Sequence, residues 1–239
     1  MVHSNQMFRL INEMNLTYEN LSSKIDNAIL KPNMKISDIE AFCHQSVKYQ
    51  FASVAVNSGF ASIAKCITNK SNTKLCCAIG FPLGLTSVFC KAVEIEDAIN
   101  SGADELDFVI NIGRLKSQDY FYIENELKEL VKAAEGRTTK LIIETCYLNK
   151  NEKINICKCA LNTGVNFIKT STGFGKKGAT VDDVRLIKSI VKDYCQVKAA
   201  GGIKNLKDTL RLISNGADRI GTNSGVKIMD EFRKMIKTY

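Results

Sequence analysis

The chain has 239 residues, 45% of them hydrophobic, with 15 glycines, two prolines and a formal net charge of +8. That is apolar content enough for one substantial core, and no Pro-rich, Ser-rich or repetitive stretch divides it, which argues against a disordered or linker-rich chain. No apolar run approaches membrane length, the nine cysteines lack metal-ligand or disulfide spacing, and the lysine-rich charge comes without the Arg–aromatic stripe of a nucleic-acid surface.

The opening Met1-Val2-His3-Ser4-Asn5-Gln6 has neither an apolar core nor a cleavage pattern, so a cytoplasmic protein with buried, reduced thiols is expected. Residues 7–24 place Phe8, Ile11 and Met14 at helical spacing and predict one N-terminal helix, an extension of a single domain spanning 1–239. Ile25–Leu30 is the first strand. Ser37-Asp38-Ile39-Glu40 reads as a capping box, with a helix to about Tyr49. Ala52–Asn57 and Lys74–Gly80 are strands flanking a short helix, and Gly80-Phe81-Pro82-Leu83-Gly84 is a tight turn.

Helical patterns over 87–101, 119–135, 151–163, 180–194 and 205–215 then alternate with strands over 105–111, 139–144, 166–169, 196–199 and 218–222, and a last helix closes the chain. Thr180 is the expected N-cap of the fourth of these helices. Eight strands, beginning near residues 25, 52, 75, 105, 139, 166, 196 and 218, each followed by a helical pattern, predict an α/β fold, a single (β/α)8 TIM barrel. An open doubly wound sheet is the alternative that periodicity does not separate.

Three charged residues interrupt apolar strand runs: Asp107 in Glu-Leu-Asp-Phe-Val, Lys169 in Phe-Ile-Lys-Thr-Ser and Lys198 in Gln-Val-Lys-Ala-Ala. Burying a charge is costly unless it is paired or discharged. In a barrel, polar residues late in the strands converge on one mouth, and strands six and seven are adjacent, so the two lysines can share a rung. Burial and a neighbouring cation push a lysine's pKa down, while Asp107 pulls it up. A neutral lysine amine attacks carbonyl carbon and forms a Schiff base, with a carboxylate and a second amine to move protons. A purely structural ion-pair network is the competing interpretation of the trio. Beside it, Gly201-Gly202 and Gly221-Thr222-Asn223-Ser224-Gly225 follow strands seven and eight, where barrels often bind phosphate on glycine amides and hydroxyls.

Long motifs add a resemblance. Leu-Lys-Pro at 30–32, Phe-Ala-Ser-Val-Ala-Val-Asn at 51–57, Gly-Phe-Pro-Leu-Gly at 80–84, Glu-Leu-Asp-Phe-Val-Ile-Asn-Ile-Gly at 105–113 and Ile-Ile-Glu-Thr at 142–145 occur in order. Phe-Ile-Lys-Thr-Ser-Thr-Gly-Phe at 167–174 and Val-Lys-Ala-Ala-Gly-Gly-Ile at 197–203 are the most specific. Over Ile25–Met229 the chain resembles the 2-deoxyribose-5-phosphate aldolase family.

The resemblance implies a class I aldolase that uses neither metal nor organic cofactor. Such an enzyme cleaves 2-deoxy-D-ribose 5-phosphate to D-glyceraldehyde 3-phosphate and acetaldehyde. By motif, Lys169 is the Schiff-base lysine, Lys198 the second lysine, Asp107 the proton-relay acid, and Asp26 a further aspartate on the first strand. Gly201, Gly202 and Ser224 match phosphate-binding positions, with Asn223 standing where a serine is usual. The terminal Tyr239 matches a tyrosine that reaches into the site in relatives. The implied partner is a small sugar phosphate, with no nucleic acid or membrane, and a homodimer or homotetramer is compatible. Asp26-Asn27-Ala28 replaces the usual Asp-His-Thr, which is expected to remove a histidine and a hydroxyl contact. Ala55 and Ala200 replace a cysteine and a serine. The remaining alternatives are a Schiff-base aldolase for another phosphorylated aldose and a non-catalytic sugar-phosphate-binding barrel.

Overall fold

The computed structural model describes residues 2–238. Helix α1 (Val2–Glu13) ends where Asn15 turns into the left-handed region at φ 46°, which asparagine tolerates better than most residues. Helix α2 (Tyr18–Ser22) starts afresh from Thr17, whose hydroxyl accepts from the Asn20 amide at 3.1 Å. The single helix expected over 7–24 is therefore two.

Eight parallel strands follow, and the first pairs with the last to close a barrel: β1 (Ile25–Ala28), β2 (Ser53–Asn57), β3 (Lys74–Ile79), β4 (Glu105–Val109), β5 (Thr138–Ile142), β6 (Phe167–Lys169), β7 (Gln196–Ala200) and β8 (Arg219–Thr222). Between them run α3 (Ile36–Lys48), α4 (Ala61–Thr68), α5 (Val88–Asn100), α6 (Ile112–Lys116), α7 (Tyr120–Ala133), α8 (Lys150–Leu161), α9 (Val181–Val191) and α10 (Leu206–Ile213), with α11 (Gly225–Thr238) last. The fold is the (β/α)8 barrel that the strand–helix alternation predicts. Among the described residues, no helix is long and apolar enough to cross a membrane.

Alternation along each strand divides the molecule into two interiors. Val54, Val56, Leu75, Cys77, Leu106 and Phe108 are fully buried in the apolar layer packed against the helices. The opposite positions face the barrel axis and include Asp26, Glu105, Asp107, Lys140, Lys169, Lys198 and Arg219. Two local expectations need correction. Helix α3 begins at Ile36, with Asp38 accepting from the Lys35 amide at 2.9 Å, so Ser37 lies inside the first turn and does not cap it. Helix α6 has no counterpart in the predicted elements, because five residues carry too little periodicity to read. Thr180 does cap α9, accepting from Asp183 N at 3.0 Å. The nine thiols are free; Cys157 is buried, which pushes its thiol up to about 12, whereas Cys66 and Cys90 are exposed against expectation.

Candidate active site

Strand register delivers the charged trio to one place. Lys169 of β6 pairs with Lys198 of β7 across one rung, so both side chains point the same way, and both amines reach Asp107 Oδ2 of β4, at 2.7 and 2.6 Å. Lys198 lies also 2.6 Å from Asp26 Oδ2 of β1, close as a charge pair though not aligned as a hydrogen bond. Asp26 Oδ1 accepts from Ser53 Oγ at 2.7 Å and from the Arg219 guanidinium. All four of the trio and Asp26 are buried.

Four residues that the sequence reading passed over, Glu105 among them, complete the interior. Lys140 of β5 pairs in register with Asp107 and donates to its Oδ1 at 2.9 Å and to Glu105 Oε2 at 2.6 Å. Arg219 of β8 bridges Asp26 and Glu105. Cys76, which reads as part of an apolar run, faces the axis instead, and its thiol donates to Asp107 Oδ1 at 3.0 Å. The signal was present as parity: Glu105 is two residues before Asp107, and Lys140 lies beside it once the strands are registered.

The electrostatics divide the two lysines. Burial pushes the Lys169 amine down, Asp107 pulls it back up, Lys198 pushes it down again, and the outcome lies below the ordinary lysine value. Burial also pushes Lys198 down, but Asp107 and Asp26 together outweigh it and hold that amine above the ordinary value. For Asp107, burial favours the neutral acid, yet Lys140, Lys169 and Lys198 overcome it and hold the carboxyl well below the usual range. Asp26 is lowered in the same way, with Lys198 and Arg219 outweighing burial. The lysine that loses its proton more readily is thus the one on β6.

Both lysines open onto a cavity of about 430 Å³ lined by Ala28, Lys31, Gly173, Gly201, Gly202 and Asn223, with Lys204 and Phe174 at its edge. Gly201 and Gly202 both have positive φ, at 89° and 76°. Gly178 presses on that turn so closely that a Cβ there would lie 2.0 Å from the Gly201 carbonyl oxygen. Asn223 lines the cavity. Ser224 lies on its outer side, its hydroxyl donating to Asn223 Oδ1 at 3.2 Å and its amide to Thr222 Oγ1 at 2.9 Å. The exposed ammonium groups of Lys31 and Lys204 add positive charge at the cavity that the motifs did not single out.

The departure at Asn27 proves to be outside the cavity. Its side chain points away from the axis, where Nδ2 donates to Ser46 Oγ of α3 at 3.0 Å and Oδ1 accepts from the Gly225 amide that begins α11 at 3.3 Å. The histidine missing from this strand is thus replaced by a packing contact: Asn27 anchors the loop that carries Asn223 and Ser224. Ala28 does face the cavity. Glu144, held left-handed at φ 48°, accepts from the Thr172 amide at 3.1 Å and from its hydroxyl, and so fixes the turn into Gly173. Tyr239 lies outside the described residues.

A closed parallel barrel with a lysine of lowered pKa beside a second lysine and a shared carboxylate, at the C-terminal ends of its strands, defines a barrel enzyme of the Schiff-base type. Residues 20–230 match the model of the DeoC/LacD family aldolases, and the chain belongs to that family. The deoxyribose-phosphate aldolase of Finegoldia magna is 45% identical over 210 residues, which cover 88% of this chain and 99% of that one. Among solved structures, the aldolase QR15 superposes with a TM-score of 0.88 at 41% identity, covering 91% of this chain and 98% of its own. The tetrameric deoxyribose phosphate aldolase of Aeropyrum pernix gives 0.88 at 28%, covering 96% and 97%.

Proposed function

We propose that this class I aldolase reversibly cleaves 2-deoxy-D-ribose 5-phosphate to D-glyceraldehyde 3-phosphate and acetaldehyde, with Lys169 as the Schiff-base residue. The observation that carries the reading is the Lys169 amine, buried, lowered in pKa and 2.7 Å from Asp107 at the floor of the mouth cavity. The free amine attacks C1 of the open-chain sugar, and water leaves through the carbinolamine to give the iminium. The C3 hydroxyl then loses its proton, the C2–C3 bond breaks, and its electron pair passes to C2 as an enamine. The C3–C5 fragment departs as glyceraldehyde 3-phosphate. Protonation of the enamine carbon and hydrolysis release acetaldehyde and restore the amine.

Lys198 and Asp107 move the protons of these steps. Asp107 accepts from both amines through one oxygen, so a proton given up by Lys169 has an ionised neighbour and a cationic donor at hydrogen-bond distance. Asp26 acts by holding Lys198, and Tyr239 is a further proton-transfer group at the end of the chain. The phosphate rests on Gly201, Gly202 and Asn223, with Ser224 supporting Asn223 and with Lys31 and Lys204 supplying charge. This distant grip supplies binding energy that orients C1 at the amine. The activity resides in one barrel unit spanning the chain, with residues 1–24 as an N-terminal extension. It operates in the cytoplasm, and a dimer or tetramer is compatible with the tetrameric relative.

Incubation with 2-deoxyribose 5-phosphate is expected to release acetaldehyde, and borohydride with acetaldehyde is expected to leave a two-carbon adduct on Lys169. An adduct without turnover of this sugar would point to another phosphorylated aldose. Neither adduct nor release would leave only a binding barrel.

A further inference from the structure

The interior of the barrel carries a count of charges that the mouth alone does not reveal. Among the described residues, four basic side chains (Lys140, Lys169, Lys198 and Arg219) and three acidic ones (Asp26, Glu105 and Asp107) form one connected cluster along the axis. Every link is between 2.6 and 3.3 Å apart from the tighter Arg219–Asp26 contact: Lys169 and Lys198 to Asp107, Lys198 to Asp26, Lys140 to Asp107 and Glu105, and Arg219 to Glu105. Seven ionised groups in such a space would leave one uncompensated positive charge, and an unpaired buried charge is among the most expensive features a protein can hold. Discharging one base removes it.

We propose that Glu105, Lys140 and Arg219, none of which lines the mouth cavity, are positioning residues that release the Lys169 amine by charge count: three cations match three anions only when Lys169 is neutral.

Contacts decide which base gives way. Lys198 touches two carboxylates, Lys140 touches two, and Arg219 touches two, whereas Lys169 touches Asp107 alone, on an oxygen it shares with Lys198. Lys140 and Arg219 gain further from Phe167, whose ring centroid lies 5.9 Å from the Lys140 ammonium and 5.8 Å from the Arg219 guanidinium. Among the described residues, Lys169 has no ring of this kind. At the end away from the mouth Glu105 lines a cavity with Lys65, Asp104, Lys74 and Arg137, where Lys65 pairs with Asp104, Arg137 with Glu135, and Lys74 is exposed to solvent. The remaining groups facing the cluster do not upset the count. Cys76 of β3 is a thiol pushed well up by burial and Asp107, so it stays neutral, and Ser53 of β2 supplies a hydroxyl. Lys31 and Lys204 at the cavity edge are exposed and screened by solvent. Glu144, at the end of β5, is turned to Thr172.

The proposal rests on the reading of Lys169 as the nucleophile, and one experiment separates the two. The protein is incubated with acetaldehyde across a pH series and quenched with borohydride. The adduct on the Lys169 peptide is then quantified by mass spectrometry for the parent, for Arg219→Met, and for Arg219→Met combined with Glu105→Gln. Arg219→Met leaves three bases and three acids, so Lys169 keeps its proton. The half-maximal pH of adduct formation is expected to move about one unit or more toward alkaline, lowering the adduct at pH 7 about tenfold. Adding Glu105→Gln restores one surplus base, and the midpoint is expected to return toward the parent's. A merely structural role gives no reason for the second substitution to reverse the first.

Coincident profiles in parent and Arg219→Met, a shift toward acid, or a double variant that keeps the single variant's shift would each overturn the charge count while leaving Lys169 as nucleophile. No adduct in the parent at any pH would overturn the nucleophile and the charge count together. Where Arg219→Met does not fold, Lys140→Met and its combination with Glu105→Gln carry the same pair of expectations.

Discussion

Lys169 and Lys198 donate to the same carboxylate oxygen yet end on opposite sides of the ordinary lysine pKa, and the difference lies in Asp26, which only Lys198 reaches. A division of labour follows, the amine that loses its proton more readily to attack and the one that holds its proton to donate. Lys169→Leu is expected to abolish adduct and turnover together, checked by borohydride trapping and acetaldehyde release; turnover without adduct would assign the nucleophile elsewhere. Lys198→Leu removes the cation that helps lower Lys169, so the acid limb of the pH–rate profile should move toward alkaline, with turnover at pH 7 down by about tenfold or more. An unmoved limb would deny Lys198 its electrostatic part. These residues were legible because each is a charge inside an apolar strand run. Lys140, between Thr139 and Leu141, lacks that contrast on one side, and Arg219 stands next to Asp218 at a strand edge, so both look like surface charges until register places them.

Elements are joined around the site by buried polar contacts that sequence reading could not supply, since each partner lies far along the chain. The Lys91 ammonium of α5 is fully buried against Glu126 of α7 at 2.5 Å and donates also to the carbonyls of Gly84 and Val109, at 2.7 and 2.8 Å. It therefore ties the Gly80–Gly84 turn and the end of β4 to two helices. Lys91→Met should cost about 3–5 kcal/mol, because Glu126 is left buried and uncompensated. Adding Glu126→Leu should recover part of that but not all, since two carbonyls remain unpaired at about 1–3 kcal/mol each. Denaturant unfolding of both variants measures the difference, and equal losses would contradict it. Asn27 makes a similar link from β1 to α3 and to the start of α11. Asn27→Ala should raise KM for the sugar phosphate severalfold with kcat nearly kept, because it loosens the phosphate loop and not the amines. A fall in kcat alone would place its influence on the chemistry instead. The element boundaries themselves were legible to within a few residues wherever a long periodic run or a cap marked them, as at Thr180. They slipped where a left-handed asparagine or a five-residue helix intervened.

The whole barrel keeps seven ionisable groups along its axis where apolar layers would pack at least as well, so the charges serve the site more than the fold. Closure was implied by eight repeated units, but the axis charges depend on all eight registers at once and could not be read from any one strand. Their effect on stability has a definite sign. Asp26 and Asp107 are held below the ordinary carboxylate range, so below about pH 4 the unfolded chain binds protons that the folded chain refuses. The stability they confer is complete above roughly pH 5 and is lost as pH falls toward their folded values. Lys140 and Lys198 are raised, so what they contribute is complete below the ordinary lysine value of about 10.4 and fades only as pH climbs through their folded values. Lys169, being lowered, runs opposite to these two and favours the folded state more as pH rises. The Tm should therefore fall steeply below pH 4 and, with Lys169 held below the ordinary lysine value, rise on the alkaline side of neutrality. Asp107→Asn takes away the carboxylate that three lysine amines share, so its Tm at pH 7 should drop sharply while its acid slope becomes shallower than the parent's. Calorimetry from pH 2 to 9 distinguishes this from generic acid unfolding, in which parent and variant would lose Tm in parallel.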